Sequence, residues 1–329
     1  MDPRLPSWPV LVASVVGLAL ASAAFPLLTY TVSLAVFGGA HVMAELRYVR
    51  VRFGDRVGTQ LGFAMFGLLA AIVGVRLLSL FGVLDAGWAG PLELALVVVL
   101  TASVLPLLRG HGRLVGASFV ASVAAGLLVS PVLTLLAFAV LHNLTPVGFI
   151  AEGWPGASRT RALSLAGLVF VGVPLLIATG LPFAALHALG WARPELSVLP
   201  AGPLATQLGV YLPPSMHGSA WALHAFSAVV CAQTLHYAAV LGVLPRMARL
   251  PTPRGAWVIG AGLGLAILLV GFTVNFRLAR SIYAIPAAVH AWIELPLLLL
   301  FLLPRRTIYS AAMTSPSPKE PRLSTAENA

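Results

Sequence analysis

Apolar runs recur along almost the whole chain, and they restrict its fold more than any other feature. An apolar helix of about eighteen or more residues is long enough to cross the roughly 30 Å hydrocarbon core of a bilayer. Hydrophobic residues make up 59% of the sequence and charged residues 9%, and the mean hydropathy is +0.95. This composition lies outside the range of soluble globular domains. The sequence therefore predicts an all-α fold, a polytopic transmembrane helical bundle.

The loops and prolines that separate the apolar runs predict about ten spans. The predicted spans are residues 8–25, 27–47, 61–83, 91–108, 114–130, 131–150, 162–186, 219–244, 256–275 and 282–303. Small residues at 21–23 resemble a signal-peptide cleavage site, but apolar sequence resumes directly after Pro26, which favours an uncleaved first helix. We expect a transmembrane helical domain over 1–312. The polar tail 313–329 is rich in Ser, Pro and charge, so we expect it to be disordered.

Basic residues are concentrated in alternate loops, which predicts the orientation of the chain. If the loops alternate across the membrane, nearly all arginines fall on one side, and the other side holds only Arg193, Arg277 and Arg280. By the positive-inside rule both termini are cytoplasmic. This indicates a multi-pass protein, for which a bacterial inner (plasma) membrane is expected. The net charge of +10 thus reflects topology and contact with membrane lipids, and we expect no nucleic-acid partner. The oligomeric state is left open.

Histidines inside the spans are the main functional signal, because ionisable groups in hydrocarbon need a partner, a cavity or a metal. Helical rise places four histidines from four different spans in one layer, from the middle to the cytoplasmic half of the membrane. These are His41, His142, His236 and His290. A single such histidine is most often a hydrogen-bonded strut between helices, whereas four at one depth make a metal site an equal alternative.

Two carboxylates strengthen the metal interpretation. Glu45 and Glu294 each follow a histidine by four residues, on the same helix face, and could serve as metal ligands, as second-shell acceptors or as proton carriers. Tyr237 adjoins His236 and could orient it. Imidazoles with carboxylates suit iron, copper or zinc. His224 lies in the outer half of the His236 span, about 18 Å away, and is a further candidate ligand.

The segment Phe37-Gly38-Gly39-Ala40-His41-Val42-Met43-Ala44-Glu45 resembles the Gly-x-x-His-x-x-x-acid element of the Brp/Blh family. Members of that family are membrane proteins that cleave β-carotene to retinal. The resemblance implies a histidine-bound non-haem Fe(II), a lipophilic, carotenoid-like substrate and a late helix with paired histidines, here His224 and His236. The sequence has Glu45 where the family pattern has Asp, and its late histidines are twelve residues apart.

Three functions remain open from the sequence. The first is an iron oxygenase acting on a lipophilic molecule in the bilayer. The second is a haem-binding or electron-transfer protein in which two histidines ligate haem b. The third is a proton-coupled transporter that uses intramembrane His and Glu as a relay. Separately, Arg277 and Arg280 with Tyr283 form a small basic cluster on the less charged side, which could contact an anion or a lipid headgroup.

Overall fold

The computed structural model describes residues 7–57, 59–153, 156–247 and 255–300. These residues form helices and no strand, so the predicted all-α fold is confirmed. The helices are α1 (Trp8–Ala24), α2 (Pro26–Ser33), α3 (Gly39–Val57), α4 (Thr59–Leu80), α5 (Ala86–Ala102), α6 (Gly110–Val129), α7 (Pro131–Leu141), α8 (Thr145–Gly153), α9 (Gly156–Gly167), α10 (Val173–Ala178), α11 (Leu181–Ala188), α12 (Ala222–Gly242), α13 (Leu244–Met247), α14 (Ala256–Val274) and α15 (Phe276–Leu300).

Short segments of other helical types join some of these helices. A π-helical turn, Leu34–Gly38, connects α2 to α3, and another, Leu168–Gly172, connects α9 to α10. The remaining short segments are 3-10 turns at Leu105–Leu107, His142–Leu144, Leu204–Thr206, Leu208–Val210 and Pro214–Met216. The predicted tail, 313–329, lies outside the described residues.

Eight helical stretches of the described chain are long and apolar enough to cross a membrane. They are Pro26–Val51, Thr59–Leu80, Gly87–Leu107, Gly110–Val129, Pro131–Ala151, Ser158–Ala178, Ala222–Arg246 and Phe276–Leu300. Trp8–Ala24 and Val258–Val274 are apolar but shorter. Large apolar side chains such as Phe63, Phe66 and Leu128 lie on the surface, 72%, 72% and 85% exposed. Since apolar surface on this scale is stable only against lipid, the chain is an integral membrane protein.

The seventh predicted span, 162–186, is shorter in the structure because Gly180 interrupts it. The backbone of Gly180 has φ 77°, in the left-handed region that favours glycine, and α10 ends before it. The hydroxyl of Thr179 accepts a hydrogen bond from the Leu181 N–H, and α11 begins there with Pro182 in its first turn. The stretch after α10 is therefore a separate short helix.

The most buried helices form the centre of the bundle. The apolar window of Ala222–Arg246 is 67% buried and that of Phe276–Leu300 is 50% buried, whereas most of the other long helices are far less buried. Helix α3 packs between α12 and α15 and contacts both. Helices α1, α2 and α10 surround α12, and α4, α5 and α14 surround α15. The three central helices carry the predicted histidines His41, His236 and His290.

The long loop between α11 and α12 covers one end of this bundle, which we call the loop end. Its side chains Ala201, Leu204, Leu208 and Leu212 are buried in one apolar core with Phe226 of α12. Burial of these side chains fixes the loop against the helices. The loop thus caps this end of the bundle.

Candidate metal centre

Four histidines and one glutamate converge at the junction of α3, α12 and α15 with the 3-10 turn between α7 and α8. One ligand atom from each residue lies within 4.8 Å of all the others. The five residues are His41, Glu45, His142, His236 and His290. All are buried except His142, whose side chain is 15% exposed.

The shortest contacts in this group join imidazole nitrogens. The Nε2 atom of His290 lies 3.2 Å from Nε2 of His41 and 3.0 Å from Nε2 of His142. Oε2 of Glu45 lies 3.5 Å from Nε2 of His236 and 3.7 Å from Nε2 of His290. Metal–ligand bonds of roughly 2.0–2.2 Å allow ligand atoms around one ion to be at most about 4.4 Å apart. Movements of under about 1 Å would therefore bring all five onto one ion.

A break in the helix positions His142. The residue four positions later is Pro146, which has no N–H, so the His142 carbonyl cannot accept the usual helical hydrogen bond. It accepts one from the Thr145 N–H instead, in the 3-10 turn His142–Leu144. Asn143 in this turn is buried and donates to the Ala139 and Val140 carbonyls. The turn thus holds the His142 ring against α15.

Glu294 orients His142 from outside the group of five. The Nδ1–H of His142 donates to Oε2 of Glu294 over 2.8 Å, which leaves the Nε2 lone pair of His142 pointing at the other imidazoles. Glu294 is 1% exposed, and its carboxyl group also approaches that of Glu45. A carboxylate that accepts from the far nitrogen of a histidine is the usual outer partner of a metal-ligating imidazole.

Tyr237 packs directly on one of the candidate ligands. Its ring stacks on that of His41, with centroids 4.0 Å apart and planes at 27°. Its hydroxyl accepts from Nε2 of Gln233 over 2.9 Å and lies 3.4 Å from the Tyr283 hydroxyl. Tyr211, from the loop, donates to the Gln233 side chain. Gln233 thus links Tyr211 to Tyr237.

Buried polar atoms without a hydrogen-bond partner are concentrated at the cluster. Of nine such side-chain atoms in the described residues, seven belong to His41, Glu45, His236, His290 and Glu294. Each unsatisfied buried polar atom destabilises a fold by about 1–3 kcal/mol. Nε2 of His236 and Oε2 of Glu45 are among these atoms and lie 3.5 Å apart, and a cation between them would satisfy both.

His224 lies apart from this group, contrary to its prediction as a ligand. Its ring packs near Gly180 and 5.4 Å from the ring of Phe183, towards the loop end. The twelve residues that separate it from His236 are more than three helical turns, so the two cannot reach one ion.

A cavity of about 810 Å³ opens onto one face of the cluster. His41, His142, His290 and Glu294 line it, whereas Glu45 and His236 lie on the far side. Apolar side chains form much of its wall beyond the cluster, among them Leu135, Phe138 and Leu298. This volume is in the range of natural small-molecule sites.

A second polar network forms another part of the cavity wall. Arg76 donates to Oε1 of Glu93 from Nε at 3.0 Å and from Nη2 at 2.7 Å. The same oxygen accepts from the indole N–H of Trp292 over 2.6 Å, and Arg76 also donates to the Ala284 carbonyl. The network ties α4 and α5 to α15.

Comparison of the chain with protein-family models, curated proteins and solved structures finds no match. The fold and the site alone therefore define its class. It is an apolar helical membrane protein with a buried His/Glu group that could hold a metal ion.

Proposed function

We propose that this chain is a non-haem iron oxygenase of the bacterial inner membrane that acts on a lipophilic, carotenoid-like substrate. One observation carries the proposal: four imidazoles and the Glu45 carboxylate converge within 4.8 Å at the edge of a largely apolar cavity of about 810 Å³. The resemblance of the segment around His41 to the Brp/Blh element gives the same expectation.

Hydrogen bonding alone does not account for the position of His290. Its Nε2 atom contacts imidazole nitrogens of both His41 and His142. One imidazole nitrogen either donates a single proton or accepts through a single lone pair. Lone pairs from several imidazoles converge on one point without conflict when a cation occupies that point. This supports a metal site over a set of interhelical struts.

The types of ligand and their arrangement favour a transition-metal ion without a porphyrin. Imidazole with carboxylate suits iron, copper or zinc, and an open position beside a cavity is typical of non-haem iron oxygenases. Haem b needs a porphyrin plane between two axial ligands, and the other imidazoles of this cluster would occupy that plane. When bound, iron supplies the redox chemistry that activates dioxygen.

The chain's own residues have distinct roles in this proposal. His41, His142, His236, His290 and Glu45 would hold the ion, and three of them, His41, His142 and His290, line the cavity from which a substrate would approach. Glu294 orients His142, and its carboxyl group, which approaches that of Glu45, can carry a proton. Tyr237 fixes the ring of His41 by stacking. The apolar cavity wall holds the lipophilic substrate and excludes water.

The first experiment is the metal content and absorption spectrum of the detergent-purified protein. We expect about one iron per chain and no Soret band in the wild type, and loss of at least nine-tenths of the iron in His41→Ala. His224→Ala is the matched control, since it removes a partly buried histidine outside the cluster, and it should retain the metal. Carotenoid consumption under oxygen is then measured for the same three proteins.

Each other outcome would change the proposal. A Soret band would favour the haem interpretation. Zinc in place of iron would retain the metal site and remove the oxygenase. Wild-type protein with neither metal nor pigment would overturn both metal functions, and the cluster would then be tested as a proton relay.

A further inference from the structure

Residues of α15 from Arg280 to Leu298 line the cavity, and the part from His290 to Arg280 extends from the cluster towards the loop end. Ala284 and Ala287 line it between Arg280 and His290, and Ala291, on the same face of the helix at helical spacing, continues it past His290. Ten residues separate Arg280 from His290, which corresponds to about 15 Å along a helix. Small side chains leave a groove of this length open beside the helix.

The far end of the groove is polar and carries a positive charge. Arg280 lines it together with Tyr30, Thr206 and Tyr211. The Nη1 atom of Arg280 donates to Oε1 of Gln207 over 2.5 Å, and the guanidinium also contacts the Tyr30 hydroxyl. These partners are neutral, and a guanidinium has five N–H donors, so donors remain for a ligand.

No carboxylate of the described residues pairs with Arg280. The other arginine of the cavity wall, Arg76, is neutralised by Glu93 at 2.7 Å. A partly buried guanidinium without a counter-charge is unfavourable, because burial in a low-dielectric region weakens its solvation. The surroundings of Arg280 would therefore favour the binding of an anion beside its guanidinium group.

We propose that the cavity binds a single-chain amphipathic molecule with a carboxylate head, which Arg280 holds, while its apolar chain follows the groove to the metal cluster. One unpaired guanidinium matches one negative charge, and Arg binds carboxylates through parallel hydrogen bonds. An extended chain advances roughly 1.2 Å per bond, so the cluster lies about twelve bonds from the head.

The binding part of this inference stands on the cavity alone, and only the reaction at the cluster end rests on the proposed function. The carboxylate fixes which bond of the chain lies beside His290. The molecule would thus be converted at one position, set by the distance between Arg280 and the cluster.

Binding of cis-parinaric acid and of its methyl ester to the protein in nanodiscs tests the inference. Energy transfer from tryptophan reports binding, since Trp292 lines the cavity. We expect the wild type to bind the acid at least tenfold more tightly than the ester. Arg280→Gln should bring this ratio close to one, and Arg280→Lys, which keeps the charge, should restore most of it. Arg277→Gln is the control, because Arg277 does not line the cavity, and it should keep the wild-type ratio.

Equal binding of acid and ester by the wild type, or an unchanged ratio in Arg280→Gln, would overturn the inference. His41→Ala separates it from the proposed function. If that variant lacks metal but keeps the preference for the acid, the carboxylate site is independent of the metal. If the wild type holds iron but shows no preference, the metal function stands and the carboxylate site does not.

Discussion

At the scale of single residues, Glu294 has a different partner from the one its spacing suggested. It lies four residues after His290 on one helix face, so the sequence indicated that it serves His290. In the structure it accepts from His142, which comes from a distant part of the chain. Glu45 follows the simpler pattern and joins the ligand group with His41.

We predict that Glu294→Gln lowers metal affinity by about 10–100-fold while the protein still folds. The amide is the same size but no longer offers a charged acceptor to the Nδ1–H of His142, so the ring loses its fixed orientation. Titration of the metal-depleted protein with Fe(II) measures the change. Glu195→Gln is the control, since Glu195 bonds the Leu204 N–H in the loop and should leave affinity unchanged.

At the scale of helices, irregular turns determine where the ligands lie. The π-helical turn Leu34–Gly38 comes directly before the helix of His41, and π-helical turns are frequent at functional sites. A Cβ at Gly38 would lie 3.2 Å from the Tyr283 ring, so glycine allows this close approach of α15. The 3-10 turn His142–Leu144 likewise carries a candidate ligand, His142.

The alanine groove on α15 gives a prediction at this scale. Ala287→Leu would place additional side-chain volume in the groove between Arg280 and the cluster. We expect binding of the long-chain acid to fall at least tenfold while the iron content stays at the wild-type level. Ala266→Leu, on an exposed face of α14, is the matched control and should change neither quantity. Loss of iron in Ala287→Leu would contradict the placement of the groove outside the ligand set.

At the scale of the whole molecule, the cluster joins helices α12 and α15, which otherwise pack against different neighbouring helices. Helix α3 lies between α12 and α15, and the 3-10 turn of His142 contacts α12. An ion at the centre would bind residues from four separate segments, and it would bind the folded state only. Metal binding therefore couples to the stability of the bundle.

Removal of the metal should destabilise the wild type. At a metal concentration one hundredfold above the dissociation constant, the expected contribution to the free energy of unfolding is about 2.7 kcal/mol. Thermal unfolding in detergent, with and without a strong chelator, measures it. His224→Ala should respond to the chelator as the wild type does, and His41→Ala should not respond. A chelator effect of equal size in His41→Ala would indicate a metal bound elsewhere.

The class of fold and the chemistry available to the site follow from the sequence alone. Apolar runs and sparse charge require helices in a membrane, because lipid cannot hydrogen-bond an open backbone. Histidine depth, read from helical rise, selected His41, His142, His236 and His290 as a layer. Depth in the membrane does not determine how each helix is rotated about its axis or which other helices lie beside it.

Which of the histidines and carboxylates lie in contact is known only from the packing of the helices. In the folded chain four histidines lie together with Glu45, Glu294 accepts a hydrogen bond from His142, and His224 lies near Gly180. The partners of Arg280 are Gln207 and Tyr30. They could be found only in the structure, because they come from a loop and from a helix far away in the chain. Such contacts depend on packing between segments distant in sequence, and the local periodicity of apolar residues does not predict them.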